Sequence, residues 1–178
     1  MLFPGGRLPL RIFEQRYMEM AKSCIQSQSS FGVCLIREGA EVGAPAVPND
    51  VGTLAKIATW DMPQLGLLHI TARGERRFRI VERRVQRDGL ARASVQVLDD
   101  ETDAAVPQGS LRCVKLLERV IERHPELLER PHRLDSCAWV SARLAEVLPL
   151  PLETKQSLLE LDDARARLER LNSLLQSA

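Results

Sequence analysis

The spacing of apolar positions changes period along this chain, and the change divides it. Residues 51–62, VGTLAKIATWDM, alternate as an extended chain does. Val51, Thr53, Ala55, Ile57 and Thr59 fall on one side, with Gly52, Leu54, Lys56, Ala58 and Trp60 on the other. The same period of two recurs in 67–74 and in 76–86, and Gly74 is expected to separate these two strands. In the second, Phe78 and Ile80 point one way, while Arg77, Arg79, Arg83 and Arg87 point the other. Asp88-Gly89 predicts a hairpin turn into a strand over 90–99, where Ala91, Ala93, Val95 and Val97 alternate. Upstream, FGVCLIR at 31–37 is rich in β-formers and predicts a strand covered on both sides.

The opening stretch, Leu2 to Tyr17, reads as a compact corner. Pro4-Gly5 signals a turn, because Pro fixes φ and Gly accepts positive φ. Leu8 to Ile12 then reads as extended and 14–27 as a helix. Tyr17, Met20, Ala21, Cys24 and Ile25 lie at three- and four-residue spacing on its apolar face. Residues 38–50, with Gly39, Gly43, Pro45 and Pro48, read as loop.

Beyond residue 99 the period becomes helical. An acidic, proline-containing stretch at 100–110 is expected to be a linker. A helix over 111–123 carries Leu116, Leu117, Val120 and Ile121. A connector with two prolines follows, and Asp135 is a suitable N-cap for a helix running to Leu148. Another helix opens after Pro151, and Asp162-Asp163 starts the last, with Leu168, Leu171, Leu174 and Leu175. Strands first and helices afterwards predict an α+β protein. Its parts are a β-rich subdomain over 1–99 with one embedded helix, the linker, and a helical subdomain over 111–178.

Composition adds limits. The 178 residues suffice for one ordinary core without staples. The net charge of +1, from 25 basic and 24 acidic side chains, gives no reason to expect a polyanionic partner overall. Cys24, Cys34, Cys113 and Cys137 have no CxxC or zinc-ligand spacing, and read as small hydrophobes in a reducing cytosol. The sequence has neither an apolar run of membrane-spanning length nor a signal-peptide pattern. A cytoplasmic, membrane-free protein is expected.

No chemistry assembles along the chain. It has no phosphate-binding Gly-Lys-Ser/Thr loop and no GxSxG. His69 reads as a satisfied sheet histidine. His124 and His132 flank prolines and read as solvent-facing. Lys155 and Ser157 sit in a plain helix. No catalytic residue, metal ligand or cofactor is expected, though a peptidase with an unrecognised site stays open. Two surface signals stand out. The arginines Arg77, Arg79 and Arg83 form either a solvated outer face or a phosphate-contacting one. Trp60, Met62 and Leu65, at a strand end and turn, either line a groove for an extended apolar segment or cap the core beneath the turn.

A resemblance ties several of these stretches together. LFPGGRLPLRIFEQRYMEM, FGVCLI, EVG, VGTLAKI and GERRFRI occur in the order seen in the N-terminal substrate-binding domain of the Lon protease family. LAEVLPLPLETKQSLLELDDARARLERLNSLL is similar to the end of that domain's helical part. The resemblance implies a PUA-like pseudobarrel followed by a helical bundle. It also implies non-catalytic recognition of unfolded or damaged polypeptides in protein quality control. Neither the ATPase nor the Ser-Lys protease module of Lon is present in these residues, so the resemblance is to stand-alone proteins built from this domain. Gln15 replaces the proline of the family's FEPRY-like segment. The family carries a further strand ahead of LFPGG. One is therefore expected before Met1, or else an open sheet edge. The alternative is an RNA-binding module using Arg77, Arg79 and Arg83, since PUA-like folds host RNA recognition elsewhere.

Overall fold

A type II turn starts the chain. Gly6 N–H donates to Phe3 O at 2.9 Å, Pro4 occupies the second position, and Gly5 takes φ 73° in the third. The turn drives Leu2 and Phe3 into the interior, where both are buried. The Thr53 hydroxyl donates to Leu2 O at 2.8 Å. The opening corner is therefore scaffold, with its backbone oxygen satisfied from the sheet.

The protein is described from a computed structural model covering residues 1–40, 43 and 45–176. Glu41, Val42 and Ala44 of the expected loop, with most of the EVG motif, lie outside the described residues, as do Ser177 and Ala178. The chain divides into two compact units, Met1–Asp99 and Asp100–Ala178. The first is mostly sheet with one helix; the second is helical.

In the first unit the strands are β1 (Arg7–Ile12), β2 (Phe31–Val33), β3 (Ile36–Glu38), β4 (Val47–Pro48), β5 (Val51–Gln64), β6 (Leu67–Val85) and β7 (Ala91–Val97). Helix α1 (Gln15–Ser27) follows β1. The main sheet runs β1-β6-β5-β2, with β7 pairing the far half of β6, and all pairs are antiparallel. A separate small ladder joins β3 and β4. Pro9 sits in β1, an edge strand, where a missing N–H is tolerated. The core beneath α1 gathers Ile12, Met18, Ala21, Leu68 and Ile70, with Leu10, Tyr17, Phe31 and Ile57 packed against it.

Several expectations change here. Gly74 does not end a strand: β6 runs through it as one element. Its missing side chain lets the corner close on the sheet. Gly5 N–H donates to Gly74 O, and Gly74 N–H donates to Gly6 O at 2.9 Å. The 31–37 run is two short strands, half-buried and not covered on both sides. β5 is buried on both faces in its first half and exposed in its second, so its alternation does not persist. The buried positions of α1 are Met18, Ala21 and Cys24; Tyr17, Met20 and Ile25 are half-buried.

Arg16, on what the sequence marks as a polar helix face, ties α1 to the loops. Its Nη1 donates to Gly89 O and its Nη2 to Gly43 O, both at 3.0 Å. It also pairs with Glu14 at 2.7 Å and stacks on Tyr17.

The second unit holds α2 (Leu111–Arg123), α3 (Cys137–Val147), α4 (Leu152–Leu159) and α5 (Ala164–Leu174). In α3 Cys137, Val140, Ser141, Ala142, Arg143, Leu144 and Ala145 are all buried, which makes it this unit's central helix. Its N-cap is Ser136, one residue past the expected Asp135. Ser136 Oγ accepts from Trp139 N–H at 3.0 Å. Asp163 caps α5 by accepting from Arg165 N–H at 2.8 Å.

Residues 100–110, expected as a linker, are held into this unit. Asp103 accepts from Ser136 Oγ, from Ala138 N–H at 3.1 Å and from Ala104 N–H at 3.0 Å. It also pairs with Arg133 at 2.8 Å. Burial pushes the Asp103 carboxyl up, but those hydrogen bonds and the Arg133 charge outweigh it and hold the carboxyl below its ordinary value. A lowered native value means stability that is full above the ordinary carboxylate range and is lost as pH falls through the native value. We therefore expect Asp103→Asn to flatten the loss of stability between about pH 5 and pH 3 in urea titrations. Asp103→Ala should cost about 1 kcal/mol at neutral pH, as a lost cap does. Parallel acid limbs for Asp103→Asn and parent would contradict this.

Candidate functional site

The long β5–β6 hairpin carries apolar side chains out of the core. Leu65-Gly66 forms its turn, with Gly66 at φ 83°. Trp60 is 58% exposed, Met62 39% and Leu65 97%. Trp60 lies directly opposite Ile70, which lies opposite Leu10, so Trp60 extends an apolar row beyond the part that α1 covers. Phe13, just past the end of β1 at the same end of the sheet, is 59% exposed. These side chains are exposed and do not cap the core. A shallow, open groove of about 650 Å³ crosses three rows of the sheet: Pro9–Thr71–Thr59, Leu10–Ile70–Trp60 and Arg11–His69–Asp61. Trp60 lines it; Met62 and Leu65 lie outside its lining, nearer the hairpin tip.

The arginine strand does not form one basic face. Arg77 is buried opposite buried Thr53, whereas Arg79 is exposed. Between Ile80 and Glu82 a bulge shifts the register with β7. Arg79 faces Gln96 and Arg83 faces Ala93, so the two point to opposite faces. Arg83 Nη1 donates to Ala46 O at 2.8 Å. Arg87 lies in the turn beyond the strand. A single-residue bulge is hard to see in an alternating sequence, and here it reverses the reading.

The titratable groups have structural roles. His69 is mid-strand as expected, but its buried Nε2 has no hydrogen-bond partner, contrary to a satisfied histidine. His132 is half-buried, with its ring 5.8 Å from Trp139 and Nε2 3.3 Å from Leu128 O, so it does not face solvent freely. Lys155 Nζ donates to Glu146 O at 2.8 Å, and burial lowers its pKa. Ser157 Oγ donates to Thr154 O, so these two side chains are turned to separate backbone acceptors. Cys24, Cys113 and Cys137 are buried and Cys34 half-buried; all are free thiols. Burial, then the Asp50 charge, pushes the Cys34 thiol up to about 11, which keeps it protonated and unreactive at neutral pH. Among the described residues no group of three or more His, Cys, Asp or Glu is placed to hold a metal ion, and no helix is long and apolar enough to cross a membrane.

What fold and surface define is a mixed α/β domain whose most distinctive exposed feature is an apolar hairpin tip. The sequence model of the ATP-dependent protease La (LON) substrate-binding domain matches residues 1–177, and the chain belongs to that family. It is 29% identical to Lon protease 2 of Myxococcus xanthus over 181 aligned residues, covering 97% of this chain and 22% of that protein. Protein cereblon of Gallus gallus is 32% identical over 103 residues, 56% of this chain and 22% of that protein. The chain thus spans about a fifth of the curated relatives it matches. Among solved structures, a Lon N-terminal domain protein from Xanthomonas campestris is 36% identical with a TM-score of 0.81, covering 97% of this chain and 92% of that one. The N-terminal domain of a Mycobacterium avium complex Lon protease has a TM-score of 0.63 at 18% identity, a likeness of fold.

Proposed function

We propose that this chain is a non-catalytic module that binds unfolded or partly folded polypeptides in protein quality control, with the β5–β6 tip as its contact surface. Its first unit corresponds in this reading to a PUA-like pseudobarrel and its second to a helical bundle. The observation that carries the reading is the exposure of Trp60, Met62 and Leu65 together at one end of the sheet. Large apolar side chains held clear of a core on a hairpin gain by desolvation on binding. The family's description as a substrate-binding domain supports a polypeptide ligand, and Lon relatives supply the class. The RNA alternative is the weaker one, since Arg77, Arg79 and Arg83 do not share a face.

A fluorescein-labelled peptide alternating Phe and Ser, followed by anisotropy, tests the site. Trp60→Ala combined with Leu65→Ser is expected to weaken binding about tenfold or more. Both positions are exposed, so the fold should survive. Parent-like affinity in the double variant would sink the assignment, and cleavage of unfolded casein by the purified chain would overturn the non-catalytic reading.

A further inference from the structure

Strand β7 has a partner on one side only. It pairs with β6, and among the described residues no strand lies against its outer edge. All seven of its residues, Ala91–Val97, are exposed. Backbone groups of successive strand residues point to alternate sides. Leu98 N–H donates to Arg77 O, and Leu90 O accepts from Gln86 N–H, so the even-numbered residues turn toward β6. The N–H and C=O groups of Ala91, Ala93, Val95 and Val97 therefore point away from β6 in one open row. Edge strands are ordinarily guarded by lysine, proline or a bulge. β7 has no lysine and no proline, and the extra residue of the bulge belongs to β6. Its side chains divide cleanly. Ala91, Ala93, Val95 and Val97 share one face with Val85 and Ile80, and Val97 lies opposite buried Phe78. Arg83 on that face donates to Ala46 O. Arg92, Ser94 and Gln96 share the other face.

We infer that two copies of this chain join through β7, strand against strand in antiparallel order, about a two-fold axis at Ser94. The order ARASVQV complements itself in this register. Ala91 meets Val97 of the second copy, Arg92 meets Gln96, Ala93 meets Val95, and Ser94 meets Ser94. Every pair with outward backbone groups is then a hydrogen-bonded pair, and those between are not, as an antiparallel ladder requires. On the apolar face each alanine packs against a valine. On the polar face each Arg92 faces a neutral side chain, and the two arginines stand four positions apart. An axis at Arg92 would set them directly opposite one another, a destabilising pair. An axis at Ala93 or Val95 shortens the ladder. The product is a four-stranded sheet, β6-β7-β7-β6, in which both open edges are satisfied and the two valine faces join. A passing polypeptide brings no fixed partner for Arg92 or the valines, whereas a second copy brings the matching residue at every position. The inference is separate from the polypeptide-binding reading, whose surface is the tip at the start of β6.

Sedimentation of the whole chain over a concentration series tests this, and the mass is expected to double as concentration rises. Cross-linking reads the register. Cα atoms of a non-hydrogen-bonded pair are about 4.5 Å apart, within disulfide reach. Ser94→Cys is therefore expected to form a covalent dimer under mild oxidation. Arg92→Cys is expected not to, because its two copies stand about 14 Å apart along the strands. The parent, whose cysteines are buried or half-buried, gives the background. Ala93→Pro removes an N–H that points outward and none that bonds β6, so the fold should hold. It is expected to abolish the dimer with the far-UV circular dichroism unchanged. The variant carrying Trp60→Ala and Leu65→Ser is expected to dimerise as the parent does, which keeps this test apart from that of the tip. The proposal is overturned if the parent stays monomeric at every concentration, if Ser94→Cys gives no more dimer than Arg92→Cys, or if Ala93→Pro remains a dimer. A monomeric parent whose peptide affinity falls in Ala93→Pro would assign the edge to an extended polypeptide, and overturns the proposal as well.

Discussion

Arg167→Ala is expected to destabilise the second unit by about 3–5 kcal/mol, because it removes one member of a buried, doubly hydrogen-bonded ion pair. Arg167 is 1% exposed in α5. Its Nη1 donates to Glu101 Oε1 at 2.6 Å, its Nη2 to Glu101 Oε2, and its Nε to Ser141 Oγ at 2.9 Å. The guanidinium thus grips one carboxylate with two parallel bonds and joins α3 to the segment ahead of α2. Without it, Glu101 loses two hydrogen bonds from a cation and Ser141 loses a donor. The pair itself adds less than the cost of breaking it. Arg167→Met with Glu101→Leu removes both charges and should recover most of the loss. Trp139, the second unit's tryptophan, reports its unfolding in urea when Trp60 is changed to Phe. A loss under about 1 kcal/mol in Arg167→Ala would refute the buried-pair account.

Gly74→Ala is expected to cost about 1–3 kcal/mol in the first unit, at the upper end or beyond for Gly74→Val. A Cβ at this position would lie 2.3 Å from Phe3 O and 3.1 Å from Leu2 Cγ. The nearest obstacle is backbone, held by the turn and by the pair of hydrogen bonds between Gly74 and Gly5 and Gly6. A side chain cannot swing aside, so the corner must lift from β6. That lift would expose Leu2 and Phe3, now buried. The check is Trp60 fluorescence in urea with Trp139 changed to Phe. An unchanged midpoint would mean that the corner yields freely. Gly66→Ala, where a Cβ meets nothing within 4 Å, is the control for backbone strain alone, since its φ is 83°.

The helices were the most legible elements. The helix expected over 111–123 coincides with α2, because its apolar positions keep helical spacing between a polar start and a proline-containing connector. The Pro4-Gly5 turn was equally plain, since a type II turn asks for those residue types in that order. The strand faces were less legible. Val81 is 70% exposed at the bulge in β6, and one unpaired residue reverses every position after it. Arg77 shows the same limit. Its residue type implies solvent, yet it is buried in the folded chain. The candidate site was visible in part. Trp60, Met62 and Leu65 stand out as bulky groups near a turn, but their exposure depends on where α1 stops covering the sheet.

By itself, the sequence determined the change from strands to helices near residue 99, the turn at Pro4-Gly5, the chain's membership of the Lon substrate-binding family, and the cluster of apolar residues near the hairpin turn. These depend on local spacing and residue type, which neighbours along the chain express directly. Only the tertiary structure decided that Leu10, Ile70 and Trp60 form one row, that Arg167 holds Glu101, and that Gly74 lies under Phe3. Each joins residues far apart in the chain, through a strand register or a buried contact. Two chains with the same hydrophobic pattern differ in such pairings after a shift of a single residue.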